Sequence, residues 1–346
     1  MQEIYFSVII PVYNAEIFME SCIEKMMQQT CKDFEVILVN DGSKDSTGEI
    51  CKKLEERYSN IRSIQAVHGG VSRARNTGIC NAKGKYVLFV DVDDFIEPEM
   101  LERLYRLSVK TEADIYFSNQ HYVIRNGQKE LYTVFSVDSS LQRELYTPEQ
   151  FLHIVARQGN HMPGSICLIM AKREFLLENQ ISLDEKIAWS EDSDFCYKAF
   201  VHAKSIGIND FCGYSWSNDN PQSSSVNISV EKVLGRMNVY KKWYEFFTND
   251  GNWGVKYDKA DVKAVAQKML SNYCNYLIEY RHLKDKKDRK KIQEKLKAER
   301  KVWKNCKDEK FKYYVRYGVR AGRIVTFLAD AMRDLYSSMT GKQREG

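Results

Sequence analysis

Three short runs of apolar residues near the start of the chain constrain its fold more than any other feature. They are residues 6–11 (FSVIIP), 34–40 (FEVILVN) and 86–90 (YVLFV), and segments of helical periodicity separate them. Apolar runs without polar alternation are typical of strands that are buried on both faces. The sequence therefore predicts an α/β fold of Rossmann-like type, with a mainly parallel sheet flanked by helices. Ligands of such sheets bind at the carboxyl ends of the strands.

The pattern changes along the rest of the chain. Between residues 98 and 228 helices mix with short strands, and an Asn-Gly pair at 126–127 predicts a hairpin. Residues 215–225 are rich in Ser, Asn and Pro and predict a loop at a domain boundary. From about residue 230 onward only helical patterns occur, so we predict an all-helical C-terminal extension.

Composition and cysteine spacing exclude several classes of protein. Of the 346 residues 43% are hydrophobic and 29% charged, as in folded globular proteins, and no run of 18 apolar residues predicts a membrane-spanning helix. The first residues lack the basic segment and cleavage site of a signal peptide. None of the nine cysteines forms a CxxC pair. We therefore expect reduced thiols in the cytoplasm, without a disulfide framework or zinc site.

Three aspartates directly follow the run at residues 86–90: Asp91, Asp93 and Asp94. Two carboxylates ~4 Å apart repel by roughly 4 kcal/mol at an effective dielectric constant of ~20, so a bound cation would relieve a real cost. Carboxylate oxygens suit Mg²⁺ or Mn²⁺, usually together with water and substrate phosphates. The alternative is a turn rich in aspartate that caps the next helix.

Other polar motifs stand at comparable positions. Asp41 follows the second run and would either bind a base or ribose or form an Asp-Gly turn. The segment HGGVSRARNTG opens a helix and carries Arg73 and Arg75, which favour phosphate unless they are ordinary surface charges. Glu191 and Asp192 begin a further helix, where acidic residues also complement the helix dipole.

Five motifs, in this order and spacing, resemble the family 2 glycosyltransferases of the GT-A fold: SVIIPVYNAE, VNDGSKDST, GVSRARNTG, VDVDD and EDSDF. The resemblance covers roughly residues 5–225. It implies a metal-dependent, inverting enzyme that moves a sugar from a nucleoside-diphosphate sugar, usually linked to UDP, to an acceptor hydroxyl in cell-surface polysaccharide synthesis. It further implies a catalytic domain at 1–228, with a nucleotide-sugar half at 1–97 and an acceptor half at 98–228, before a helical region at 229–346.

The resemblance implies a set of residues around the donor: Pro11, Val12, Tyr13, Asp41, Arg75, Asp91 and Asp93. The first three would surround the nucleoside. Asp41 would meet the base, Arg75 the diphosphate and Asp91 the ribose. Asp93 would bind a Mn²⁺ or Mg²⁺ ion, and Asp94 would cap the following turn.

The same resemblance implies an acceptor site at Trp189, Glu191 and Asp192. Asp192 would be the general base that takes the proton of the acceptor hydroxyl, while Glu191 and Trp189 would position a glycan or lipid-linked glycan. Two departures from the family pattern concern the donor. His68 stands where relatives often have asparagine, and Ser217 where they often have an arginine that faces the diphosphate.

The C-terminal region is basic. Residues 281–346 contain 21 Lys or Arg and 9 Asp or Glu, a net charge of +12, whereas residues 1–280 carry −7. Residues 317–339 predict an amphipathic helix that either packs on its own domain or lies on a membrane surface. We expect a cytoplasmic protein, with attachment to the inner face of the cell membrane in the second case. No fold typical of nucleic-acid binding accompanies the charge, so no nucleic-acid partner is expected.

Three other functions fit the sequence less well. A nucleotidyltransferase would need a basic, glycine-rich loop near the first strand, which PVYNAE does not provide, and an NAD-linked oxidoreductase would need GxGxxG there. A sugar-nucleotide-binding protein without turnover would be expected to lack the acidic residues, yet Asp91, Asp93 and Asp192 are present.

Overall fold

A computed structural model describes residues 4–158, 162–217, 229–249, 257–279 and 285–299. These residues form two compact units, one of residues 4–217 with 257–265 and one of residues 229–249, 266–279 and 285–299. The predicted boundary at residue 228 and the predicted tail helix at 317–339 both lie outside the described residues.

The described residues contain eleven strands: β1 (Phe6–Val12), β2 (Phe34–Asp41), β3 (Ile61–Ala66), β4 (Tyr86–Phe89), β5 (Phe95–Ile96), β6 (Ile115–Ser118), β7 (Gln120–Arg125), β8 (Gln128–Thr133), β9 (Ile169–Lys172), β10 (Ile206–Asn209) and β11 (Tyr214–Ser217). They also contain ten α-helices: α1 (Met19–Met27), α2 (Thr47–Arg57), α3 (Val71–Asn81), α4 (Met100–Thr111), α5 (Pro148–Gln158), α6 (Arg173–Glu178), α7 (Glu191–His202), α8 (Val230–Thr248), α9 (Lys259–Glu279) and α10 (Lys286–Ala298). The first unit is thus α/β, and the second is helical in its described part.

The main sheet has seven strands in the order β10-β6-β9-β4-β1-β2-β3. β1 pairs in parallel with β2 and β4, β2 with β3, and β10 with β6, while β9 runs antiparallel between β4 and β6. Every residue of β2 is buried, as the continuous apolar run predicts. The predicted mainly parallel sheet is confirmed.

A second sheet of four strands has the order β5-β11-β7-β8. Asn126 and Gly127 join β7 to β8 with φ of +51° and +71°, so the predicted Asn-Gly hairpin is confirmed. The loop predicted to begin at Ser215 is wrong at its start, because Tyr214–Ser217 is strand β11. Its backbone pairs with β5 and β7, and this pairing outweighs the turn-forming composition.

Helix α3 packs unusually close to the main sheet. A Cβ atom on Gly78 would lie 2.3 Å from Cγ2 of Ile9 in β1, so only glycine permits this approach. The close contact holds α3 against β1, and the helix also packs on β2.

The second unit buries large aromatic side chains, among them Trp243 and Phe247 of α8. Polar contacts join its helices, since Tyr273 Oη donates to Glu299 at 2.6 Å and Lys295 Nζ donates to Asn238 at 2.6 Å. No helix in the described part of the chain combines the length and hydropathy that crossing a bilayer requires.

Candidate active site

The ends of three adjacent parallel strands place polar residues at one edge of the main sheet. Tyr13 follows β1, Asp41 ends β2, and Asp91 follows β4 by two residues. Because β1 pairs in parallel with both neighbours, these residues share the edge at which α/β sheets bind ligands.

The carboxylate of Asp41 holds the loop that leads into α3. It accepts hydrogen bonds from the backbone N–H of Gly69 at 2.7 Å and of Gly70 at 2.8 Å, and His68 Nδ1 lies 2.9 Å from its Oδ2. Gly70 has φ +89° and caps the helix. Asp41 therefore anchors this loop at the sheet edge, and its contact with a base remains a prediction.

An aromatic pair stands beside Asp41. The ring of Tyr13 stacks on the ring of His68, with centroids 4.5 Å apart and an interplanar angle of 25°. Tyr13 is 43% exposed, whereas Val12 is buried in the core and Pro11 is half-buried. Of the three residues predicted around the nucleoside, Tyr13 offers the exposed surface.

Arg75 joins three elements of the fold. Its Nη2 donates to Oδ1 of Asp91 at 2.9 Å and its Nη1 to Oε1 of Glu191 at 3.2 Å, although its side chain is only 6% exposed. Its buried Nε donates no hydrogen bond to any residue that the structure describes. Burial alone would lower the pKa of Arg75, but the carboxylates around it, led by Asp91, raise it. The arginine of α3 thus links the end of β4 to the start of α7.

The pKa shift of Glu191 disfavours its charged form, whereas the shift of its partner Arg75 favours the charged form. Burial, and then the adjacent charge of Asp192, raise the pKa of Glu191 to about 7, and Arg75 only partly opposes this. The surroundings therefore favour the charged form of Arg75 and disfavour the charged form of Glu191. Burial penalises both charges, and the neighbouring carboxylates offset that penalty for Arg75, whereas Asp192 adds to it for Glu191.

The start of α7 presents the predicted acceptor residues. Ser190 caps the helix with φ +65°, a left-handed conformation that is sparsely populated for residues other than glycine. Asp192 follows Glu191 in the first turn, and its Oδ1 accepts the N–H of Ser193 at 2.7 Å. Trp189 is half-buried just before the cap. The structure therefore places Glu191 and Asp192 beside Arg75, and Trp189 on the adjoining loop.

Asp94 points away from the turn that it was predicted to cap, so that prediction is wrong. Its carboxylate accepts from Tyr214 Oη at 2.8 Å and from the backbone N–H of Ser217 at 2.8 Å, and Tyr214 Oη in turn accepts the N–H of Asp91 at 3.2 Å. Burial and the charge of Asp91 raise the pKa of Asp94 to about 8. The residue instead connects the turn after β4 to β11.

The turn after β4 fits a divalent cation held jointly with a ligand. Asp93 lies half-buried between Asp91 and Asp94 in the chain, and after burial the charges of Asp91 and Asp93 both raise the pKa of Asp94. Within the described ranges no three His, Cys, Asp or Glu side chains form a group that could hold a metal ion. Mg²⁺ in phosphate sites commonly uses one or two carboxylates, with phosphate and water completing its shell.

Two residues of the site were missed or left without a role by sequence reasoning. Tyr214 bridges Asp91 and Asp94, and His68 joins Tyr13 to Asp41. His68 stands out in the sequence only as a departure from the family pattern. Tyr214 gives no signal at all, because its partner Asp94 is 120 residues away in the chain.

Comparison with known proteins agrees with this geometry. Residues 7–176 match the model of glycosyl transferase family 2. The uncharacterized glycosyltransferase EpsJ of Bacillus subtilis (strain 168) is 33% identical over 217 residues, which are 63% of this chain and 62% of that protein. The poly(ribitol-phosphate) beta-glucosyltransferase of Bacillus spizizenii is 30% identical over 67% of this chain. The chain spans 35% of that relative's length.

Among solved structures, residues 1–349 of S. aureus TarS in complex with UDP-GlcNAc are similar in fold. The TM-score is 0.59 and the identity 23%, over 78% of this chain and 73% of that one. The family match covers most of the first unit, from β1 to α6. This α/β unit therefore belongs to glycosyltransferase family 2 and has the GT-A fold.

Proposed function

We propose that the protein transfers a sugar from a nucleoside-diphosphate sugar, with UDP as the carrier, to a hydroxyl of a growing glycan. The observation that carries the proposal is the bonding of Arg75 to both Asp91 and Glu191, because it joins the candidate donor and acceptor sites in one cluster. The TarS structure that shares the fold contains UDP-GlcNAc, and the Bacillus spizizenii relative is a glucosyltransferase by name. The first supports a UDP-linked donor, and the second, which acts on poly(ribitol-phosphate) by name, supports a role in cell-surface polysaccharide synthesis.

The donor would lie along the ends of β1, β2 and β4. Tyr13 and Asp41 would receive the base and Asp91 the ribose, while the amino end of α3 favours the negative diphosphate through its helix dipole. Asp93 would hold Mn²⁺ or Mg²⁺, which when bound neutralises charge on the leaving diphosphate. Arg75 would reach the diphosphate with its positive charge, while its guanidinium also holds Asp91 and Glu191 in place.

The acceptor would approach from the start of α7. The acceptor oxygen attacks the anomeric carbon, the bond from that carbon to the diphosphate oxygen breaks, and the hydroxyl proton passes to the carboxylate of Asp192. This single displacement inverts the anomeric centre. General base assistance of this kind typically contributes ~10²- to 10⁴-fold in rate. Glu191 and Trp189 would orient the acceptor sugar.

The decisive experiment measures UDP release and sugar transfer from a panel of UDP-sugars with Mn²⁺. We expect Asp192→Asn to retain donor binding, measured by calorimetry, and to lose transfer by ~10²-fold or more. In Asp93→Asn, the addition of Mn²⁺ should no longer raise the rate of sugar transfer. Asp288→Asn, the same change on α10 in the second unit, should behave as wild type.

Three outcomes would count against the proposal. If no nucleotide sugar binds with or without metal, the donor assignment is wrong. If Asp192→Asn transfers sugar at the wild-type rate, the base assignment is wrong. Donor binding without transfer to any glycan would instead favour a sugar-nucleotide-binding protein without turnover.

The proposal includes an acceptor that is a glycan or lipid-linked glycan at the inner membrane surface. Helix α10 carries seven basic and two acidic residues in its sequence KKDRKKIQEKLKA, and basic residues near anionic lipid contribute up to ~1 kcal/mol each. We expect the protein to sediment with vesicles containing phosphatidylglycerol and not with neutral vesicles. Equal partition between the two would exclude electrostatic attachment.

A further inference from the structure

The turn that follows β4 lies between the two sheets of the first unit. At its start the N–H of Val90 donates to the carbonyl of Ile9 in β1 at 3.1 Å, and at its end the chain enters β5 of the four-stranded sheet. Within the turn the N–H of Asp94 donates to the carbonyl of Asp91 at 3.0 Å. Asp91 and Asp93 are therefore carried by a short link, and their positions depend on what holds that link.

The side chain of Tyr214 in β11 contacts both ends of this turn. Its hydroxyl accepts the N–H of Asp91 at 3.2 Å and donates to Oδ2 of Asp94 at 2.8 Å. The other oxygen of Asp94 accepts the N–H of Ser217 at 2.8 Å. Tyr214 is 0% exposed and Asp94 6% exposed, so bulk water does not compete for these bonds. The four residues form one hydrogen-bonded cluster.

The backbone of β11 fixes where the phenol lies. Tyr214 pairs with Ile96 of β5. The carbonyl of the preceding Gly213 accepts the N–H of Glu97 at 2.8 Å. The strand that supplies the phenol is thus bonded to the segment that directly continues the turn. A shift of the turn relative to β11 would have to break the bonds of the phenol or this pairing.

Cohesion between the two sheets does not by itself require these polar bonds. Replacing both partners of a buried hydrogen bond by apolar groups of the same shape can be nearly neutral for stability. The bonds supply direction, because hydrogen bonds weaken steeply away from linear geometry, and fully satisfied buried networks make a segment rigid. A rigid turn matters where it carries metal ligands, since the groups that orient such ligands govern metal affinity.

We infer that Tyr214 is a positioning residue of the donor site, which holds the turn so that Asp91 and Asp93 bind the ribose and the divalent ion together. Tyr214 would act through Asp91 and Asp94 and not by contact with the donor. The inference rests on the proposed function, because that function assigns the ribose to Asp91 and the ion to Asp93. Loss of the hydroxyl should therefore weaken metal binding in the UDP complex more than a loss of stability alone explains.

The test compares two variants of the full chain that each remove one buried phenol hydroxyl. Tyr116 in β6 is 1% exposed, and its hydroxyl accepts the N–H of Ala113 at 2.8 Å and lies 2.7 Å from Oγ1 of Thr111. Tyr116→Phe thus loses a similar set of bonds away from the turn. Binding of Mn²⁺ in the presence of UDP is measured by electron paramagnetic resonance of free Mn²⁺. We expect Tyr214→Phe to weaken it about 10- to 100-fold and Tyr116→Phe to leave it unchanged, although both variants lower the urea midpoint.

Asp94→Asn is a second variant, which decides the test if Tyr214→Phe does not fold. It keeps an acceptor for the N–H of Ser217 and withdraws the acceptor of the phenol. We expect it to weaken Mn²⁺ binding about tenfold, and unchanged binding would overturn the inference. In the double variant the two losses should not add, because both substitutions remove the same bond. Full additivity would mean that Asp94 acts through its charge alone, which would also overturn the inference.

The outcomes separate this inference from the proposed function. Equal Mn²⁺ binding by wild type and Tyr214→Phe would overturn the inference and leave the proposed function standing. Equal weakening in Tyr214→Phe and Tyr116→Phe would also overturn it, because the loss would then reflect stability alone. Absence of UDP binding to wild type, with or without Mn²⁺, would refute the proposed function and the inference together. Binding of UDP and Mn²⁺ without sugar transfer would refute the transfer reaction alone, and the comparison of the variants would still decide the inference.

Discussion

Replacing Glu191 by glutamine should make the protein more stable at pH 8 and change its stability little at pH 5. The pKa of this carboxyl is raised from 4.5 to about 7, chiefly by burial and then by Asp192, while Arg75 only partly offsets the effect. Its side chain is 13% exposed, so solvent screens the charge weakly. Glutamine has nearly the same shape and stays neutral at every pH.

The magnitude follows from linkage between proton binding and folding. Below pH 4.5 the Glu191 carboxyl is mostly protonated in both the folded and the unfolded protein, so it does not lower the free energy of unfolding. As the pH rises toward 7 the unfolded chain ionises first, so the free energy of unfolding falls, and above pH 7 the loss is complete. At about 1.4 kcal/mol per pH unit, the rise in pKa corresponds to about 3 kcal/mol at pH 8 and less than about 1 kcal/mol at pH 5.

Urea unfolding of wild type and Glu191→Gln at pH 5, 6, 7 and 8 measures this difference directly. The matched control is Glu185→Gln, because Glu185 is exposed and its hydrogen bond from Arg73 lowers its pKa. We expect that variant to be no more stable than wild type at any of these pH values. If the proposed function holds, the Glu191→Gln variant should also transfer sugar more slowly, since it loses the carboxylate proposed to orient the acceptor.

Parallel stability curves for wild type and Glu191→Gln from pH 5 to 8 would refute the reasoning. A Glu191→Gln variant that is less stable than wild type at pH 8 would do so more strongly. Either result would mean that Arg75 neutralises Glu191 fully and that the charge of Asp91 is balanced elsewhere.

Three further substitutions test the packing and the donor edge. Tyr214→Phe leaves Asp94 without its phenol donor and should cost about 1–3 kcal/mol in the free energy of unfolding, measured in urea. Gly78→Ala places a methyl group 2.3 Å from Ile9 and should cost about 1–3 kcal/mol by the same measurement, and an unchanged midpoint would contradict the close packing. His68→Ala should weaken UDP binding in calorimetry about tenfold, or ~1.4 kcal/mol, with little change in stability because the side chain of His68 is 57% exposed.

The sequence predicts features of this fold whose cause is local. Continuous apolar runs specify β1, β2 and β4, since a strand buried on both faces is the environment that best suits such runs of buried side chains. The Asn126–Gly127 pair specifies its hairpin through two positive φ angles that few residues adopt. Both signals reside within a few neighbouring residues, so no tertiary information is needed to read them.

Features that depend on distant partners could not be predicted in this way. Arg75 and Glu191 are 116 residues apart, and nothing near either residue identifies the other. The antiparallel insertion of β9 between β4 and β6 is likewise decided by the whole sheet. Asp94 could cap a turn or reach a neighbouring strand, and only the position of Tyr214 decides which.

A buried carboxylate elsewhere in the same unit shows what the candidate site lacks. Glu35 is at least as deeply buried as the Asp94 and Glu191 carboxyls of the candidate site. It accepts hydrogen bonds from Arg62 at 2.8 Å and 3.0 Å, from Ser7 at 2.6 Å and from the N–H of Lys83 at 2.7 Å. A structural carboxylate therefore receives donors on both oxygens. At the sheet edge one arginine serves Asp91 and Glu191, and the pKa values of Glu191 and Asp94 rise to about 7 and about 8. Asp94 also accepts on both oxygens, but its donors are a phenol and a backbone amide, whereas Glu35 pairs with the guanidinium of Arg62. Buried carboxyl groups with raised pKa values, beside the edge at which α/β sheets bind ligands, are the arrangement expected of a functional site.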